Sequence, residues 1–80
     1  MFLGRIWYVD DTQGIIQEER TPENKHKTDD DLLHWFDDGK VTFVNVTFDE
    51  LEVGDFVWFS LYKPCGEKEE LVDAIKKPIF

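Results

Sequence analysis

Hydrophobic residues along this chain fall into short runs rich in β-branched and aromatic side chains, often with polar residues at alternate positions. Such runs are typical of β-strands. Turn-forming residues such as Pro22, Gly54 and Pro64 separate them, and Gly14 is expected to supply the backbone freedom of the turn after the first strand. The runs cover residues 2–9, 15–19, 41–46, 56–62 and 70–76. Five strands in 80 residues predict one all-β domain, residues 1–80, built as a small five-stranded barrel.

The acidic segment of residues 28–39 has the features of a short helix. Thr28 is a good N-cap residue, and Asp31 stands at the position that closes a capping box. Acidic residues in a first turn also interact favourably with the helix dipole, and Gly39 is suited to end the helix. These features predict a helical insert between the second and third strands.

A β-hairpin explains the same region equally well. Residues 32–36 would form one strand and residues 41–46 the returning strand, with Asp38 and Gly39 in the turn. Asp-Gly between two apolar runs is a strong hairpin signal. The sequence does not distinguish the helix from the hairpin, and with either one residues 20–40 form an insert in the barrel.

The fourth predicted strand, residues 56–62, has two apolar faces. Val57, Phe59 and Leu61 alternate on one face, as a barrel core requires. The opposite face of a small barrel is ordinarily polar and solvated, so aromatic side chains there need a cover or a partner. In this chain that face carries Phe56, Trp58, Ser60 and Tyr62.

Two kinds of cover fit this aromatic face. The insert could fold across it as a lid made by Leu32, Leu33, Trp35 and Phe36. Alternatively, the face is an interface for a second copy of the chain or for another protein, where Trp and Tyr are favoured anchors. The candidate interface residues are Phe56, Trp58, Tyr62, Trp35 and Phe36.

Acidic residues outnumber basic ones, with 18 Asp and Glu against 9 Lys and Arg and a net charge of −9. Phosphate backbones are attracted by Lys and Arg, so this balance opposes nucleic-acid binding at long range. The acidic surface either provides solubility or complements a basic protein partner.

The reactive residues form no convincing catalytic or metal-binding motif. Cys65 is the one cysteine, which excludes an intramolecular disulfide and a four-cysteine zinc site. His26 and His34 lie among aspartates, but the spacing matches neither an EF-hand nor an HExxH motif. We expect no enzyme activity, no metal and no cofactor. No apolar run is long enough to span a bilayer and no signal-peptide pattern is present, so a cytoplasmic protein without membrane contact is expected.

Four motifs resemble, in order and spacing, those of the bacterial cold-shock domain. That family typically reads G-x-V-K-W-F, K-G-F-G-F-I and V-F-V-H-F, followed by a leucine and a glycine before strand four. The resemblance covers roughly residues 2–19 and 41–77, and it implies an OB-type barrel that binds single-stranded RNA or DNA. The motifs here are Gly4-Arg5-Ile6-Trp7-Tyr8-Val9, Gln13-Gly14-Ile15-Ile16, Phe43-Val44-Asn45-Val46 and Leu51-Glu52-Val53-Gly54-Asp55.

The resemblance also implies a binding surface with several changed residues. Trp7 and Tyr8 stand where the family has lysine and tryptophan, whereas Ile15 and Gln17 replace two phenylalanines. Phe43 matches a family phenylalanine, Asn45 replaces the histidine, Val46 replaces a second phenylalanine and Gln13 replaces a lysine. The nucleic-acid-binding residues implied in this way are Trp7, Tyr8, Ile15, Gln17, Phe43 and Asn45.

These replacements remove stacking surface and positive charge. Each stacked base contributes roughly 1–3 kcal/mol, so several lost positions lower the affinity for single strands by several kcal/mol. One hypothesis is therefore a divergent module that binds single-stranded nucleic acid weakly or selectively. The other is an acidic protein-interaction module, such as an inhibitor, an immunity-type protein or a nucleic-acid mimic, that binds a basic protein or associates with itself.

Overall fold

A computed structural model describes residues 1–78, and their regular structure is made of β-strands and short 3-10 turns without an α-helix. The prediction of an all-β chain is confirmed. In residues 1–78 no helix has the length and apolar character needed to cross a bilayer. The strands are β1 (Phe2–Val9), β2 (Gln13–Glu18), β3 (Leu33–Asp37), β4 (Thr42–Val44), β5 (Phe56–Tyr62) and β6 (Leu71–Lys76).

The strands form one six-stranded sheet in the order β3-β2-β1-β5-β6-β4. Neighbouring strands are antiparallel except for β4 and β6, which are parallel. The sheet is not closed, whereas the sequence predicted five strands in a closed barrel. Its two edge strands, β3 and β4, follow each other along the chain and are separated by a 3-10 turn at Asp38–Lys40.

The region predicted as a helix or a hairpin differs from both predictions. Thr28 and Asp31 do form reciprocal hydrogen bonds of 3.2 Å, but these lead into a single 3-10 turn at Asp30–Leu32. Leu33–Asp37 is then a strand, because extended pairing with β2 buries alternate side chains in the core. The hairpin prediction identified this strand, but its partner is β2 and not residues 41–46.

Residues 41–46, predicted as one strand, contain only the three-residue strand β4. Asn45 follows it with a φ of 61°, in the left-handed region that extended backbone does not use. Thr42–Val44 pairs in parallel with Ala74–Lys76 of β6. The strand therefore ends early because Asn45 turns the chain.

The core lies on one face of the sheet and contains buried side chains from β1, β2, β3, β5 and β6 and from the segment between β4 and β5. Val57 and Phe59 are fully buried on β5, which confirms the alternation predicted for that strand. Burying a side chain of this size contributes about 1.5–3 kcal/mol. The buried cluster consists of Ile6, Ile16, Phe36, Val46, Phe48, Leu51, Val57, Phe59, Val72 and Ile75.

Gly14 has a packing role rather than the turn role that the sequence suggested. It lies within β2 directly opposite Phe36 of β3. A Cβ atom at Gly14 would lie 2.5 Å from Cζ of Phe36, well inside van der Waals contact. The glycine therefore makes room for the phenylalanine ring inside the core.

A buried polar cluster closes one end of the core. The Glu18 carboxylate accepts a 2.8 Å hydrogen bond from the Asn24 side-chain amide, and its other oxygen lies 3.1 Å from Nε2 of His34. Asn24 also donates to the carbonyl of Glu19 at 2.9 Å. His34 is therefore a structural partner of Glu18 within the fold.

Candidate functional site

Large aromatic side chains are exposed on the outer face of β1, β3 and β5, which is the face opposite the core. Trp7 and Trp35 are 54% and 56% exposed, well above what a packed core allows. Exposed aromatic clusters on a small protein usually mark a binding surface. The side chains that form this surface, called the aromatic face below, are Trp7, Tyr8, Trp35, Phe56 and Trp58.

A β-bulge in β1 gives the aromatic face two consecutive residues. The register between β1 and β2 shifts between Ile6 and Tyr8. Ile6 points into the core, Trp7 follows on the outer face, and Tyr8 also faces outward because it pairs with the outward Ile15. A bulge re-aims side chains in this way at the cost of one unpaired position.

Tyr8, Ile15 and Trp35 form one row across β1, β2 and β3. The rings of Tyr8 and Trp35 lie 6.3 Å apart, centroid to centroid, and are tilted by 57°. Ile15 stands between them and is only 9% exposed. It therefore supports the two rings, and it does not offer the ligand surface that the resemblance assigned to its position.

A second row crosses β2, β1 and β5 through Gln17, Arg5 and Phe56. Cζ of Arg5 lies 4.6 Å from the centroid of the Phe56 ring, a cation–π distance. Nε of Arg5 lies 3.8 Å from a carboxylate oxygen of Glu19. On β1, β2 and β3, Arg5 is the one basic residue of the outer face.

The Tyr8 hydroxyl is held by Asp10 at the edge of the aromatic face. It donates a 2.8 Å hydrogen bond to one carboxylate oxygen, while the other accepts 2.9 Å bonds from the backbone N–H groups of Thr12 and Gln13. These bonds, led by the one from Thr12, lower the pKa of Asp10 from 3.8 to about 2. The bond to Asp10 raises the pKa of Tyr8, so the phenol stays protonated.

Phe43 and Asn45 lie away from the aromatic face, contrary to the site that the resemblance implied. Phe43 belongs to β4, which is separated from β1 by two strands, and its half-buried ring packs at 6.1 Å against Phe48. Asn45 is exposed in the left-handed turn that follows. The structure therefore brings together Trp7, Tyr8, Ile15 and Gln17 from that set.

The residues proposed for a protein interface divide among three places. Phe56 and Trp58 are exposed on the aromatic face, and Tyr62 is exposed farther along β5. Phe36 is only 4% exposed and packs edge-on against Phe48, so it belongs to the core. The predicted lid is wrong, because β3 lies beside β2 in the sheet and leaves the β5 aromatics uncovered.

Trp35 is the functional candidate that the resemblance missed, since the motif comparison assigned the third strand to residues 41–46. A signal was present in the sequence. Leu33, His34, Trp35 and Phe36 place their side chains alternately outside and inside, which is the period of a strand. Reading that period would have placed Trp35 on the face opposite Phe36, and the structure sets it beside Ile15 of β2.

Comparison with known proteins identifies no similar sequence or structure. Protein-family models, curated proteins and solved structures give no match to the chain. Function is therefore inferred from the aromatic face itself.

Proposed function

We propose that the protein is a non-catalytic module that binds single-stranded RNA or DNA by stacking bases on Trp7, Tyr8 and Trp35. The observation that carries the proposal is their joint exposure on one open sheet face, produced by the bulge at Trp7 and the register through Ile15. Unstacked bases bind flat aromatic side chains on such faces with little sequence preference.

The topology supports the proposal through a comparison with the five-stranded OB-type barrel. We propose that β3 and β4 together correspond to a single bent strand, interrupted at Asp38–Lys40. Its first half pairs with β2 and its second half pairs in parallel with β6. If the two halves are counted as one strand, the sheet returns to its starting strand, as a five-stranded barrel does.

Charge limits the affinity of this module. With Arg5 as the one base on the outer face of β1–β3, few phosphates are neutralised, and stacking has to supply most of the binding energy. Three stacked bases at roughly 1–3 kcal/mol each sum to roughly 3–9 kcal/mol, which corresponds to a Kd between about 0.3 µM and about 6 mM. The salt dependence is expected to be shallow, at about −0.7 in log–log slope for each phosphate neutralised.

Titration with seven-nucleotide dT and U strands, followed by tryptophan fluorescence and the indole N–H signals in NMR, tests the proposal. Trp35→Ala should weaken binding about tenfold or more, because it removes one stacking surface. Phe2→Ala is the matched control, since it removes an exposed aromatic side chain that pairs with the inward-facing Phe59 and therefore lies off the aromatic face. The proposal would be contradicted if neither the fluorescence nor the indole N–H signals change at about 1 mM heptamer.

A second candidate function is favoured by the carboxylates beside the aromatic face. Asp10, Asp11 and Asp37 lie at the same end of the sheet, where the backbone N–H of Asp38 bonds to Thr12. Aromatic residues bordered by carboxylates complement an Arg- and Lys-rich protein surface. This second function would be favoured if an Arg-rich peptide changes the NMR chemical shift of the Trp35 indole N–H and the dT heptamer does not.

A further inference from the structure

A cleft borders the aromatic face where β1 meets the loop before β5. Its volume is about 400 Å³, near the lower end of the roughly 300–1,000 Å³ range of ligand pockets. Such a volume suits a single base better than an extended ligand. The lining residues are Arg5, Ile6, Trp7, Gln17, Val53 and Gly54.

The cleft is held in shape by backbone hydrogen bonds. The N–H of Gly54 donates to the carbonyl of Ile6, and the N–H of Ile6 donates to the carbonyl of Asp55, both at 2.8 Å. Gly54 has a φ of 97°, a conformation that favours glycine and brings the loop back to β1. Trp7 therefore faces a fixed wall, and little ordering is required when a flat ligand enters.

Two of the lining residues of this cleft, Arg5 and Gln17, are polar and lie side by side on neighbouring strands. Arg5 and Gln17 are direct partners in the β1–β2 register. The guanidinium of Arg5 is positioned by the Phe56 ring below it and by Glu19 near Nε. Among residues 1–78, neither terminal nitrogen of Arg5 nor the side-chain amide of Gln17 has a hydrogen-bond partner.

We infer that this cleft is a guanine-selective subsite of the single-strand-binding face, an inference that rests on the proposed function. Trp7 stacks on the base, the Arg5 fork donates to guanine O6 and N7, and the Gln17 side-chain carbonyl accepts from guanine N1–H. Arginine paired with O6 and N7 is the commonest specific contact to guanine. Adenine presents an amino donor beside N7, and thymine, uracil and cytosine lack this pair of acceptors.

The test compares heptamers of dT in which a single dG or dA replaces dT at each position in turn. One dG register should bind about tenfold more tightly than dT alone, with no such gain for dA. Replacing that dG by 7-deaza-dG, which lacks the N7 acceptor, should remove most of the gain.

Protein variants distinguish bidentate hydrogen bonding by the Arg5 guanidinium from attraction by its positive charge alone. Arg5→Lys keeps the positive charge but has no planar fork, so the dG and dT heptamers should bind it equally. Phe2→Ala should retain the guanine preference. Binding of dT without any preference for dG overturns the subsite and leaves the proposed function standing, whereas no binding of any heptamer overturns both. A guanine preference that persists in Arg5→Lys overturns the role given to Arg5.

Discussion

Two adjacent rows cross the same three strands, and they differ in how their side chains fit. The inner row consists of Val9, Gly14 and Phe36, where the absence of a side chain at the glycine leaves space for the large ring. The outer row of Tyr8, Ile15 and Trp35 has two large rings over a medium-sized residue, with much aromatic surface facing solvent. In the inner row the side chains fit one another and fill the core, which indicates a structural role. In the outer row the aromatic rings of Tyr8 and Trp35 are not fully covered by the other side chains of residues 1–78, which leaves them available to a ligand.

The largest difference between the rows is expected in the free energy of unfolding when Phe36 of the inner row or Trp35 of the outer row is replaced by alanine. Phe36→Ala should lower the free energy of unfolding by about 3–5 kcal/mol, because it leaves a cavity in the core. Trp35→Ala should lower it by less than about 1.5 kcal/mol, because the lost contact is one partly exposed ring pair. Urea denaturation of both variants measures this. Equal losses would contradict the distinction between the rows.

A smaller effect is expected when the inner row is overpacked. Gly14→Ala places a methyl group against the Phe36 ring, and overpacking of this kind costs about 1–3 kcal/mol. Gly39→Ala is the matched control, since a Cβ at Gly39 meets no atom within 4 Å. Thermal unfolding should show a clear decrease in Tm for the first variant only. A Gly14→Ala protein as stable as the parent would show that Phe36 can move aside.

The smallest effect concerns acid stability at the edge of the outer row. The folded-state pKa of Asp10 is about 2 against an ordinary 3.8, so the carboxylate contributes stability above about pH 4, and that contribution is lost as the pH falls toward 2. Asp10→Asn should therefore show a shallower decline of Tm between pH 4 and pH 2. Asp11→Asn removes the same formal charge from a residue without a side-chain hydrogen bond in residues 1–78, and its decline should parallel that of the parent chain.

Local patterns in the sequence predicted much of the sheet. The bounds of β1 and β5 agree with the predicted strands, because both segments are rich in β-branched and aromatic residues, and β5 also alternates between buried and exposed positions. Val57 and Phe59 were assigned to the core on that basis, and both are fully buried. Alternation is a local property, so it can be read without knowing which strands are neighbours.

The partners of the middle segment could not be read in the same way. Asp38 and Gly39 resemble a hairpin turn, but the strands on either side pair with β2 and β6 and not with each other. That choice depends on contacts between distant parts of the chain, including the place Gly14 leaves for Phe36. The bulge was also missed, although the adjacent aromatic residues Trp7 and Tyr8 could not both fit a strictly alternating strand with a buried inner face.

The sheet order has a consequence for the sequence of folding events. The aromatic row lies in β1, β2 and β3, which pair consecutively within the first 37 residues, whereas β4 has to wait for β6 near the other end of the chain. Contacts between nearby segments close shorter loops and form faster than distant ones. We expect the β1–β2–β3 meander to form first, with pulse-labelled hydrogen exchange showing protection in β2 before β4. The row of Tyr8, Ile15 and Trp35 would then be present on a nascent chain before β6 has emerged.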